Sequence, residues 1–245
     1  MTTIALKLIA CVTMLIDHIG FQYGIMPFRA IGRIAFPIFI YLICNGYRHT
    51  SNKGKYALRL AIFAVISQVP FSLFCYGILW QEHGNVMFTL LMALLCIWSA
   101  EELGALRKLR VVAFFPAIAV CALYHWKIMS SDYGTTGILM ALVFFYFDGK
   151  THGRRLAVVL GMSAAVFYDY LLSLLISLAK LVLGSGFSVM NLSQWDLYQA
   201  FSLLALIFIF SYNGKKGMGS GKLLQYSFYL FYPLHQLALW IIRYI

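Results

Sequence analysis

Negative charge is what this sequence has least of. Only 8 of its 245 residues are Asp or Glu, against 19 Lys and Arg, and charged residues of both signs make up 11% of the chain. Soluble domains average about 25% charged residues, so a mainly water-facing globular surface is excluded. Long polar stretches are missing too, which leaves no room for a separate soluble domain and points to one domain over 1–245. Neither Cys-x-x-Cys nor His-Glu-x-x-His occurs, so no zinc site or other metal centre is expected. Gly-x-Ser-x-Gly is absent as well, which removes the hydrolase nucleophile elbow. The five cysteines (Cys11, Cys44, Cys75, Cys96, Cys121) fall singly within apolar runs and read as small apolar helix residues.

What remains is apolar: 62% hydrophobic residues and a mean hydropathy of +0.82. A membrane-spanning helix needs roughly 20 mainly apolar residues. Runs of that kind recur at about 4–24, 29–47, 57–77, 86–100, 110–126, 134–147, 156–183, 197–211 and 223–243. They predict an all-α, polytopic integral membrane helix bundle with about nine transmembrane helices, the second kinked or started near Pro37. The runs are continuous rather than alternating, which excludes a transmembrane β-barrel. Residues 1–24 resemble a signal peptide, but Asp17 and His18 interrupt the apolar run, so the segment is expected to stay as the first helix. With the N-terminus placed in the cytoplasm, fourteen of the 19 Lys and Arg fall on that side, and only Arg29, Arg33, Lys127, Lys180 and Arg243 do not. The bias predicts a bacterial-type cytoplasmic (inner) membrane protein with its N-terminus inside. The net charge of +11 is then a property of the loops, not a sign of nucleic-acid binding.

Asp17, His18, Arg29 and Arg33 place four ionisable groups within 17 residues of the first hydrophobic hairpin. Each costs roughly 2.5–3.5 kcal/mol at the bilayer centre even on lenient insertion scales, so their presence needs a use. An imidazole titrates near neutrality and can take a proton or carry an acyl group; a nearby carboxylate, Asp17, could fix its tautomer. The alternative is a structural polar pair. Arg29 and Arg33 lie four apart, on one helix face, and suit an oxyanion, a carboxylate or a lone Asp, or else snorkel to the interface. His235, in the last helix, has a depth matching that of His18. Asp132 reads as a helix cap and Asp169 as an ion-pair brace for Arg29 or Arg33; Gln68 and Asn85 read as helix-end or interhelical hydrogen-bonders. The segment YNGKKGMGSGK (212–222) offers lysines and exposed backbone N–H groups to an anion at a helix N-terminus. It has no Walker or dinucleotide spacing, and a solvated basic loop is the alternative.

The run MLIDHIG, followed by FRAIGRIAFPIFIYLICNGYRHT, KYALRLAIFAVISQVPF, NVMFTL, DYGTTGIL, YNGKKG and FYLFYPLH, resembles the TraX family in order and over most of the chain. That family is named for an enzyme that N-acetylates conjugative pilin and is similar to a broader group of transmembrane acyltransferases. The resemblance implies acetyl or acyl transfer from a coenzyme A thioester; joined to the residues above, it gives a reading in which acetyl-CoA (acyl-CoA) donates an acetyl or short acyl group to an amine or hydroxyl acceptor, such as a peptide N-terminus or a glycan hydroxyl, at the outer side of the membrane. The catalytic residues it suggests are Asp17, His18, Arg29, Arg33 and His235. Coenzyme A would meet Lys215, Lys216, Lys222, Arg48, Lys53, Asn213 and Tyr232, with Arg33 or His235 steadying the oxyanion. The rival readings are a proton-coupled transporter or channel using Asp17, His18 and His235 as relay groups, and a non-catalytic membrane assembly factor.

Overall fold

The computed structural model describes residues 1–105, 114–147, 149, 151–184, 194–217 and 221–243, without the side chains of 104–105, 194–196 and 222. The described residues are almost entirely helical: α1 (Thr3–Tyr23), α2 (Met26–Gly32), α3 (Ala35–His49), α4 (Lys53–Tyr76), α5 (Val86–Ala105), α6 (Phe115–His125), α7 (Gly134–Tyr146), α8 (His152–Val166), α9 (Tyr168–Val182), α10 (Gln194–Ala200), a 3-10 turn (Phe201–Leu204), α11 (Ala205–Phe210) and α12 (Lys222–Ile242). The helical membrane bundle expected from hydropathy is what forms.

The expected count of nine spans is not confirmed. Four described stretches are long and apolar enough to cross a membrane: Thr3–Tyr23, Met26–His49, Lys53–Tyr76 and Val86–Leu103. The run at 156–183 is broken: α8 and α9 meet at 76° and make a fifth span if counted as one. The run at 197–211 becomes α10, a 3-10 turn and α11. Helix α12 has 21 residues but mixes Gln225, Ser227, His235 and Gln236 into its apolar sequence and is not among the four.

Local chemistry sets the hairpin that carries the buried charges. Thr2 caps α1 by accepting from the Ala5 N–H at 3.3 Å, and Gly24, at φ 69°, closes it in the left-handed conformation that glycine adopts without a Cβ penalty. Pro27 then starts α2 in the first turn, where a missing N–H costs nothing. Helix α2 folds back on α1 because two glycines allow close approach. A Cβ on Gly20 would stand 2.7 Å from Phe28 Cβ, and one on Gly32 would stand 2.1 Å from Asp17 Cβ. The break between α2 and α3 falls at Arg33 and Ile34, and Pro37 sits in the first turn of α3. Pro37 has no N–H to give to the Arg33 carbonyl, so the chain turns there rather than at the proline itself.

Helices α3, α5 and α7 pack together in the middle; α1, α12 and α4 follow one another along one side, while α6, α8 and α11 cover the rest. Leu6, Ile38, Ile40, Leu94, Ile97, Ile138 and Met140 are at most 1% exposed and anchor this core. Leu8, Val12, Ile62, Val65, Ile66 and Leu160 point outward, the arrangement a lipid-facing surface takes. The α4–α5 connection is held by polar side chains: the Gln68 amide donates to the Gln81 and His83 carbonyls at 2.8 and 2.9 Å, and Asn85 donates to Ala64 O and Gln68 Oε1. Gln68 and Asn85 are the interhelical bonders their positions suggested. All five cysteines are free.

Candidate functional site

The two histidines meet. His18 Nδ1 lies 2.6 Å from His235 Nε2, and the rings are nearly parallel, 5° apart. His235 Nδ1 lies 2.7 Å from the Phe231 carbonyl oxygen. A carbonyl only accepts, so His235 Nδ1 carries the proton, and in neutral His235 Nε2 is an acceptor. His18 Nδ1–H therefore donates to it, and His18 Nε2 is left with a free lone pair. Phe74 on α4 packs against His18 at 5.2 Å, and Phe231 stacks on His235 at 4.8 Å. His18 faces α12 and α4 from the half-buried side of α1.

Asp17 does not set this tautomer. Its carboxylate, 7% exposed, takes Arg33 Nη2 on both oxygens at 2.6 and 2.8 Å and Arg29 Nη1 on Oδ2 at 2.6 Å. Arg29 Nη1 also reaches the Asp17 carbonyl at 3.3 Å, and Arg33 Nε reaches the Arg29 carbonyl at 3.3 Å. Each guanidinium lies over a ring: Arg29 on Phe21 at 5.3 Å, Arg33 on Tyr133 at 5.7 Å. Tyr133 has φ 63°, rare for a side chain of that size, and stacks on Phe36 at 3.7 Å. Asp169 is exposed in the first turn of α9, and the arginines it was expected to brace are held by Asp17 instead. Asp132 is likewise not a cap: the N-cap of α7 is Tyr133, with no side-chain cap bond, and Asp132 Oδ1 meets His83 Nε2 at 3.2 Å.

A cavity of about 420 Å³ opens at the end of the bundle that bears the N-terminus. Lys7, His49, Arg59 and Lys216 contribute the basic lining, and none of its described lining residues is Asp or Glu. Its inner end reaches Met14 and Tyr232, one turn short of His18 and His235; the Tyr232 and His235 rings are 6.0 Å apart. Eleven residues separate Lys7 from His18 on α1, about 17 Å of helix. Tyr232 and Lys216 are thus cavity residues. Asn213 and Lys215 flank the mouth: the Asn213 N–H donates to the Met1 carbonyl, and the Lys215 carbonyl accepts from the Thr3 N–H, both at 2.9 Å. Arg48 and Lys53 lie elsewhere. Arg48 donates to the Phe144 and Phe145 carbonyls at the end of α7, and Lys53 pairs with Glu101. The Lys222 side chain is outside the described residues. Among the described residues, no group of three or more His, Cys, Asp or Glu could hold a metal ion.

A family model described as TraX protein matches residues 3–243. The chain belongs to the TraX family. It is also 30% identical over 246 residues to a probable fimbrial assembly protein, FimC of serogroup H1, from Dichelobacter nodosus, covering 94% of this chain and 91% of that protein. No solved structure matches.

In this TraX-family chain the polar residues of the first hairpin and of α12 converge, but sequence reasoning missed the cation lining. Lys7 and Arg59 read only as topology charges, because nothing local shows that α1 and α4 turn those faces toward α12. His83 was passed over for the same reason: its partners Ser130, at 2.5 Å, and Asp132 lie 47 and 49 residues away.

Proposed function

We propose that this chain is a membrane-embedded acyltransferase that moves an acetyl or short acyl group from acyl-coenzyme A to an amine or hydroxyl acceptor. The observation that carries the reading is the tautomer of His18: its Nε2 lone pair is free, and its other nitrogen is held by His235, itself fixed on the Phe231 carbonyl. That is the arrangement of a general base with an orienting partner. The cation-lined cavity that ends one turn below supports it. Lys7, Arg59 and Lys216 would take the phosphates of coenzyme A from the cytoplasm, and the pantetheine arm would run along α1 toward Tyr232. His18 Nε2 takes the acceptor's proton as the nitrogen or oxygen attacks the thioester carbonyl; the C–S bond breaks and the thiol leaves. His235 has no N–H left for the oxyanion, so of the two groups considered Arg33, through Nη1, keeps a donor for it. The name of the fimbrial relative makes a surface-fibre subunit one acceptor of this class.

The test is acetyl-CoA turnover by the purified protein in lipid nanodiscs. His18→Ala, folded by its unfolding midpoint, is expected to lose activity about 10²–10⁴-fold, the usual contribution of a positioned acid or base. A folded, fully active His18→Ala variant rejects the reading. The His18–His235 bond also suits a proton relay; proton-driven solute uptake by vesicles without coenzyme A turnover would favour that alternative.

A further inference from the structure

Beyond His18 the site holds buried polar atoms without a hydrogen-bond partner among the described residues. Two guanidiniums, Arg29 and Arg33, share the single carboxylate of Asp17, which leaves one positive charge in excess. The other acid that acts on them, Asp132, does so from beyond contact distance; its own ion contact is with His83. The rings beneath the arginines, Phe21 and Tyr133, supply attraction but no counter-charge. Arg29 Nε is buried with no partner. So are both amide atoms of Gln22 and both of Gln236, the latter residue 0% exposed with the Tyr232 hydroxyl beside it. Gln22 stands one turn beyond His18 on the same face of α1, Gln236 adjoins His235, and the contact of Arg29 with Phe21 places its guanidinium beside the turn that carries Gln22.

Buried amides without partners cost about 1–3 kcal/mol each by mutational measure, and native structures keep few of them. A surplus buried cation is more costly still. These groups lie on the turns that carry the two histidines and Arg29, and a molecule with an anionic oxygen and adjoining hydrogen-bonding atoms has the chemistry that satisfies them. We propose, resting on the acyl-transfer reading, that the acceptor is itself anionic: an amine or alcohol that also bears a carboxylate or phosphate. Arg29 takes the oxyanion, and Gln22 and Gln236 hydrogen-bond the group next to it. The attacking nitrogen or oxygen then lies at His18 Nε2. The anion can belong to a soluble molecule or to a lipid headgroup, since both present the same oxygens.

The experiment uses the full chain in phosphatidylcholine nanodiscs and two pairs of probes, glycine against glycinamide and O-phosphoethanolamine against ethanolamine. Acetylated product is measured with acetyl-CoA, and the unfolding midpoint without it. The anionic member of each pair is expected to be acetylated with at least tenfold higher kcat/KM and to raise the midpoint. Both preferences should vanish in Arg29→Gln and survive in part in Arg29→Lys, while Gln22→Leu and Gln236→Leu raise KM for the same probes. Discs containing phosphatidylethanolamine separate the sources: an N-acetylated lipid identifies the headgroup, and its absence a soluble acceptor. Equal transfer to charged and neutral members, or a preference that persists in Arg29→Gln, overturns the proposal and leaves acyl transfer standing. Absence of transfer to every probe, with anion-specific stabilisation that Arg29→Gln abolishes, keeps the anion site and rejects the transferase. Absence of any anion effect in both readouts overturns the anion site.

Discussion

At the residue scale the deciding facts are hydrogen-bond roles. Phe231 O, an acceptor, fixes the proton on His235 Nδ1, and this passes through Nε2 to fix the proton on His18 Nδ1. On the proposed acyl-transfer function, His235 is therefore a positioning residue. His235→Ala is expected to lower kcat about tenfold or more while leaving the KM for acetyl-CoA near its starting value. Steady-state kinetics of the two variants separates the roles, since His18→Ala removes the proposed base itself. Gly32 makes a second prediction. A methyl there would sit 2.1 Å from Asp17 Cβ, closer than atoms pack, so Gly32→Ala must push α2 away from α1. Overpacking of this kind costs about 1–3 kcal/mol or more, and the drop appears as a lower unfolding midpoint in nanodiscs. The same shift loosens both arginines from Asp17, so activity should fall with it.

The hairpin shows how far these residues could be read from sequence. Their types and spacing singled out Asp17, His18, Arg29, Arg33 and His235, and the structure places each in a polar contact with another of the five. Which acid holds which base was not legible: Asp17 could serve His18 or the arginines, and helix phase alone does not choose. The turn at Gly24, the early start of α2 at Pro27 and the break at Arg33 bring the guanidiniums to the carboxylate, and each depends on where the neighbouring helix lies.

At the element scale, the α4–α5 connection is a rigid link built on one side chain. Gln68 satisfies two loop carbonyls through its NH2 and two donors of Asn85 through its oxygen. Replacing it with Leu keeps the volume and removes the partners, each unsatisfied buried group costing about 1–3 kcal/mol. Gln68→Leu is expected to destabilise the protein by more than Gly32→Ala and to make residues 77–85 the first to exchange amide hydrogens, a pattern that hydrogen-exchange mass spectrometry reads directly. Helix α8 and α9 show the opposite limit. Hydropathy sees one apolar run over 156–183, while the chain bends by 76° between Val166 and Tyr168. Neither Gly nor Pro occupies 166–168, so the usual breaker signals are missing there.

At the scale of the whole molecule, the bundle has one basic end. Lys7, Arg59 and Lys216 line its cavity, and Arg48, Lys53 and Lys215 stand at the same end, by their contacts with α7, α5 and the start of α1. If that end faces the cytoplasm, a single cysteine at Lys215, in a background without the five native ones, is expected to react with a membrane-impermeant maleimide only after the cells are opened, and one at Ser130 in intact spheroplasts. The reverse pattern inverts the orientation and with it the side from which coenzyme A must come. Lys7→Ala with Lys216→Ala is expected to raise the KM for acetyl-CoA several-fold with kcat little changed, because on the proposed function these charges contact the donor far from the reacting atoms; a change confined to kcat argues that the cavity does not hold it.

Hydropathy and charge are sums over neighbours along the chain. Sequence alone therefore determined that this protein is a membrane helix bundle and that a few ionisable groups sit among lipid-length apolar runs. The pairings were decided only in three dimensions. His18 finds His235 217 residues away, the cavity draws its cations from α1, α4 and the loop before α12, and the tautomer that frees one nitrogen depends on a carbonyl in α12. Each is a short-range, directional contact between segments whose separation the chain's local composition does not encode.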